Sequence, residues 1–190
     1  MSSEVVGPDI VELFPTTGIL DGLDPWLEEN WTGEAYTASE FGPDCEARVT
    51  IDTKPEGDFI IAVYARCSVD LANGYAVVMM HKPGVTDDVG IFVIEGGNYT
   101  QLGDLIPLEF SDGDGLGICC TGPSIRAEWC RAGAWQEVGL RVDEMYGEAG
   151  YLGLLVEEGE CSDFGGGDYV PVASVGTVHG PDVSGGIVDR

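Results

Sequence analysis

From Glu34 to Gly167 the chain is a succession of short apolar runs, each closed by Gly, Pro, Asn or Asp, and no part sustains a long helical period. Backbone groups in such runs find partners only on neighbouring segments, as in a β-sheet. The 29 glycines fall mostly between the runs, which suits tight turns. Cys45 to Thr53 (CEARVTIDT) alternates cleanly: Cys45, Ala47, Val49 and Ile51 face one way, and Glu46, Arg48, Thr50 and Asp52 the other. That period of two predicts a strand with one wet face. Phe59 to Cys67 (FIIAVYARC) is apolar nearly throughout, which predicts a strand covered on both faces.

Further strands are expected over Ala35 to Phe41, Tyr75 to His81, Gly90 to Glu95, Tyr99 to Leu102, Leu116 to Thr121, Ser124 to Cys130 and Trp135 to Val142. Asp143 to Ala149 reads as a carboxylate-rich loop, and Gly150 to Gly167 as a closing strand pair joined by a polar turn. Ile19 to Trp31 supplies a strand and a connection near the other end, so one β domain spans residues 19–167. Residues 1–18 are expected to form an extended arm, because Pro8 and Pro15 oppose a helix, and residues 168–190 an extended tail. Ile10, Leu13 and Phe14 in the arm, and Val170, Val172 and Val175 in the tail, need apolar cover, on the same domain or on a neighbouring subunit.

Thirty-four acidic residues against eight basic ones give a formal net charge of −26. Such a surface repels phosphate backbones, which disfavours nucleic acid as a partner. It fits a solvated exterior, a high-salt surface or divalent-cation sites. No run of about 18 apolar residues is present for a membrane span, and MSSEVVGPDI lacks the basic and apolar regions of a secretory signal. The six cysteines contain no C-x-x-C spacing for zinc and serve either as core thiols or as one or two disulfides. Asp112 to Gly115 (DGDG) lacks the later ligands of an EF-hand and reads as a hairpin turn. His81 and His179 are the only histidines, the second in the tail, so a Ser-His-Asp arrangement has no evident base.

The succession FGPDCEARVTIDTKPEGDFIIAVYARC, NGYAVVM, IRAEWCRAGAWQEVGLRVDEMYGEAGYLGL and CSDFGGG resembles the concanavalin A-like (laminin G-like) jelly roll of phage structural proteins and carbohydrate-binding modules. ILDGLDPWLEENW stands where that family's opening strand carries an Asp-Phe-Asn-Arg pattern and matches it only loosely. The resemblance implies an all-β, antiparallel two-sheet sandwich whose concave sheet often binds ligand, sometimes with one calcium near the rim. Glucanases of this fold carry an E-x-D-x-x-E strand, which is missing here, so no enzyme is expected. Tyr64, Arg66, Tyr75 and Trp129, with Trp135, are candidates for carbohydrate contact, since a sugar's apolar face stacks on aromatic rings. The same rings could equally be core packing, and Arg66 could pair with a carboxylate. Asp143 and Asp163 are the candidate calcium ligands, or else turn residues. The arms, the acidic exterior and the resemblance together predict a non-enzymatic virion structural protein, a capsid decoration or tail-associated component whose arms bind other virion subunits. The alternative is a carbohydrate-binding module of a secreted or surface protein that recognises glycans.

Overall fold

The computed structural model describes residues 11–12, 32–54 and 56–169. The expectations for Ile10, Leu13, Phe14, Val170, Val172 and Val175, and for Ile19 to Trp31, lie outside them. The described strands are β1 (Val11–Glu12), β2 (Thr32–Phe41), β3 (Cys45–Thr53), β4 (Phe59–Cys67), β5 (Gly74–His81), β6 (Asp88–Glu95), β7 (Asn98–Gln101), β8 (Ile106–Pro107), β9 (Gly115–Thr121), β10 (Ser124–Arg131), β11 (Ala134–Val142), β12 (Gly150–Val156) and β13 (Glu160–Asp168). There is no helix among the described residues. Two antiparallel sheets result: a six-stranded one in the order β1-β13-β3-β9-β10-β11, and a seven-stranded one in the order β2-β12-β4-β5-β6-β7 with β8 also on β6.

The inward sides of the two sheets form one core. Cys45, Ala47, Val49 and Ile51 of β3 meet Ile61, Val63 and Ala65 of β4, with Leu116, Ile118 and Cys120 of β9 beside them. Fully burying a side chain of this size contributes about 1.5–3 kcal/mol. The seven-stranded sheet is also apolar on its outer side, where Ala62, Tyr64, Ala76, Val78, Ile94 and Leu155 make a second cluster. β4 is therefore covered on both faces, as its composition predicts. The Gly96-Gly97 turn between β6 and β7 has positive φ at both residues, the mirror-image geometry that matches strand twist in a hairpin.

Two expectations are corrected. β12 and β13 do not pair with each other: β12 lies between β2 and β4, and β13 between β1 and β3, in opposite sheets. The reason is visible in β12, whose Leu152 and Leu154 face the central core while Leu155 joins the outer apolar cluster. A strand apolar on both sides needs cover on both, and the seven-stranded sheet supplies it. The second correction concerns β3, whose outward Glu46 and Arg48 are buried rather than wet.

One end of the core is closed by a charged group. The Asp87 carboxylate is fully buried and accepts from Lys54 Nζ (2.7 Å), from the Phe110 amide (2.8 Å) and from His81 Nδ1. Lys54 Nζ also reaches Glu109 (3.1 Å) and the Phe110 carbonyl (3.1 Å). Burial alone would raise the Asp87 carboxyl, but the bonds from Lys54, His81 and the Phe110 amide outweigh it and hold it below 3.8. A depressed folded-state value contributes stability above the unfolded value, and that contribution is lost as pH falls through the folded one. Asp87→Asn should cost about 3–5 kcal/mol at neutral pH. In urea melts, the gap between wild type and variant should narrow as pH falls below 3.8, and a gap independent of pH would contradict this account.

Candidate functional site

The structure gathers three of the residues expected to matter. Tyr75 donates from its hydroxyl to Asp143 Oδ1 (2.7 Å) and accepts there from the Tyr146 amide (3.0 Å), while its ring meets Tyr146 edge-on. Arg66 donates to the carbonyls of Pro43 (2.5 Å), Tyr146 (2.8 Å) and Gly122 (2.7 Å). All three residues are structural. Tyr75 is fully buried and its phenol is pushed up to about 12 by that burial, while Arg66 is buried among carbonyls, so neither presents a face to a sugar. Tyr64 is likewise excluded: it is fully buried on the outer side of β4 with its hydroxyl on that of Tyr99. Trp129 is half-buried, its indole N–H on Asp114 (3.3 Å), its ring against Phe110 and under the Arg131 guanidinium (4.4 Å). These four side chains are fixed by packing and hydrogen bonds that sequence alone does not display.

The candidate calcium ligands do not combine. Asp143 is engaged by Tyr75 and by the Met145 amide (2.9 Å). Asp163 stands exposed at positive φ, where the register of β13 against β3 shifts between Ser162 and Gly165. Among the described residues no three His, Cys, Asp or Glu side chains converge as a metal site. The six cysteines are buried free thiols, and burial pushes Cys67, Cys119 and Cys161 up to about 12.

The polar group that sequence reasoning missed lies on the outer side of the six-stranded sheet. Arg48 reaches from β3 across β9 to Glu128 of β10, donating from Nε (3.1 Å) and Nη2 (2.9 Å) to Oε2, and Nη2 also bonds Glu46 Oε2 (3.1 Å). Burial raises the Glu46 carboxyl, and Arg48 partly opposes it. Trp135 of β11 lies over the Arg48 guanidinium (4.7 Å), and the Tyr169 ring covers Arg126 (5.0 Å), whose Nη2 donates to Cys119 Sγ (2.8 Å). Glycine makes room for this layer. A Cβ at Gly115 would stand 2.7 Å from the Trp135 ring, and one at Gly117 would stand 3.0 Å from Arg48 Cγ and 3.2 Å from the indole. The signal in the sequence was the alternation GLGIC, in which Gly115, Gly117 and Cys119 share one face of β9 while Leu116 and Ile118 fill the core.

No protein-family model and no curated protein matches the chain. Solved structures do. The VIP36 exoplasmic/lumenal domain in its Ca2+/Man2-bound form aligns over 89% of this chain and 83% of its own, with a TM-score of 0.59 at 14% identity. The carbohydrate-binding module CBM66 from Bacillus subtilis aligns over 82% of this chain and 91% of its own, with a TM-score of 0.55 at 18% identity. A xylan β-1,4-xylosidase from Bacillus halodurans C-125 aligns over 84% of this chain but 39% of its own, with a TM-score of 0.50 at 12% identity. The fold is the concanavalin A-like jelly roll.

Within this jelly roll Arg66 ties together three loops at one end of the sandwich: the β2–β3 connection, the β9–β10 turn and the loop after β11. A lysine has no planar fork with which to reach three carbonyls at once. Arg66→Lys should therefore destabilise the domain by about 2–4 kcal/mol, several carbonyls losing their donor. Thermal denaturation measures this, and an unchanged melting temperature would show that the loops hold without the guanidinium.

Proposed function

We propose that the chain is a non-catalytic carbohydrate-binding module of a secreted or surface protein. The observation that carries the reading is the outer layer of the six-stranded sheet, where guanidinium and carboxylate groups are held rigidly beneath the half-exposed Trp135. Fixed donors and acceptors beside an aromatic ring are the chemistry that recognises a hydroxylated ring with an apolar face. Two similar structures support it: one is a carbohydrate-binding module, and the other is in a Ca2+/Man2-bound form, each aligned over most of its length. Calcium belongs to the bound forms of VIP36 and enters this reading only from there.

The arrangement favours binding over hydrolysis. Glu46 and Glu128 bracket one guanidinium, so Arg48 occupies the space that a scissile bond would need between an acid and a nucleophile. The role of capsid decoration or tail-associated protein, with virion subunits as partners, draws no support from the similar structures, and the arm residues that suggested it lie outside the described residues. A glycan array followed by calorimetry tests the proposal. We expect binding of at least one glycan class with a roughly micromolar dissociation constant, about −8 kcal/mol, and no release of reducing ends on prolonged incubation. Absence of binding across the array would sink the reading, and release of reducing ends would replace it with an enzyme.

A further inference from the structure

We infer that the layer over Gly115 and Gly117 is the sugar site itself and that it takes an uncharged sugar, held through Glu128 Oε1 and Arg126 Nε. The inference rests on the binding-module reading above. Glu128 is fully buried, and although its Oε2 receives both bonds from Arg48, Oε1 has no hydrogen-bond partner. Arg126 Nε, two residues earlier on the same side of β10, is also buried without a partner. Orphaned buried polar atoms cost about 1–3 kcal/mol each, and a group that satisfies both recovers that cost. Two hydroxyls of one sugar ring do so, one donating to the carboxylate oxygen and one accepting from the guanidinium N–H. The rings of Trp135 and Tyr169 flank these atoms through their contacts with Arg48 and Arg126. In the structure the indole closes the layer from above. Trp135 pairs with Cys130 next to the Ala132-Gly133 turn and is only half-buried, so a rotation of its side chain would uncover the layer and present the indole face to the ligand.

Charge selects the class. The two arginines and two glutamates of the layer cancel formally, so the site offers no excess positive charge to a carboxylated or sulfated sugar. The chain around it carries a formal net charge of −26, which repels polyanionic glycans at long range. A neutral sugar meets neither penalty, and its binding is insensitive to salt.

The test is calorimetric titration of the full chain with neutral and uronate- or sialate-bearing oligosaccharides at low and high salt. It is repeated for Trp135→Ala, Glu128→Gln and Arg126→Gln, with a thermal melt of each variant and Trp fluorescence during titration. Neutral sugars should bind equally at both salts and shift the Trp emission, and each folded variant should weaken binding about tenfold or more. Failure of every glycan to bind would remove the binding-module reading and this site with it. Neutral-sugar binding left intact in the folded variants would overturn this site alone, and a preference for acidic sugars that fades with salt would overturn the ligand class. Arg126 is only half-buried, so its variant keeps the test decisive should Glu128→Gln unfold.

Discussion

One end of the sandwich depends on one guanidinium. Arg66 sits on β4 at the centre of the seven-stranded sheet, yet its bonds reach the β2–β3 connection and the loop after β11, both of which pass between sheets, and the β9–β10 turn of the six-stranded sheet. The side chain reaches them from a backbone at φ 50, a left-handed conformation that disfavours any residue but glycine. Its neighbours accept that conformation only because they lack side chains. A Cβ at Gly74 would stand 2.8 Å from the Arg66 carbonyl oxygen, and one at Gly150 would stand 2.7 Å from its carbonyl carbon. The strain at Arg66 and the two glycines are one device, offset by the carbonyls that the guanidinium satisfies.

Much of the fold was legible because strand periodicity is a local property. CEARVTIDT announces which of its residues face the core and FIIAVYARC announces cover on both sides, and the DGDG segment is indeed a turn before β9. What stayed hidden depends on partners distant in sequence. Glu157 to Gly159 has the polarity of a hairpin turn, yet it carries the chain from one sheet to the other, because the destination of β12 is set by cover on both sides. Glu46 and Arg48 alternate as a wet face would, and their burial comes from Glu128 and Trp135, 80 or more residues further along the chain. The burial of Tyr64 and Tyr75 stayed hidden for the same reason: a Tyr on a strand reads alike whether its hydroxyl finds water or Asp143.

The charge imbalance has a structural counterpart. Among the described basic residues, Lys54, Arg48, Arg66, Arg126, Arg131 and Arg141 all direct their charge to internal carboxylates, carbonyls or a thiol, and Lys82 is exposed. The few cations serve as internal fasteners, and the remaining acidic residues dominate the exterior. Removing Arg48 or Lys54 therefore deprives a buried carboxylate of its cation, which costs more than the loss of a surface ion pair.

On the proposed reading, this division of labour also favours one outer face over the other as the recognition surface. The outer side of the seven-stranded sheet buries Ala62, Ala76, Val78 and Leu155 in an apolar cluster, which leaves few groups there that could read the direction of a hydroxyl. The six-stranded sheet carries charges already locked by mutual bonds, so a ligand bound there would find them ordered in advance. β9 supplies the room for both by placing glycine at alternate positions, so that its floor is bare backbone on one side and solid core on the other. A strand built that way weakens its own packing on the outer face, and that loss is compensated only where the space is filled, by Trp135 and Arg48 in the closed layer or by a ring that takes the place of the indole.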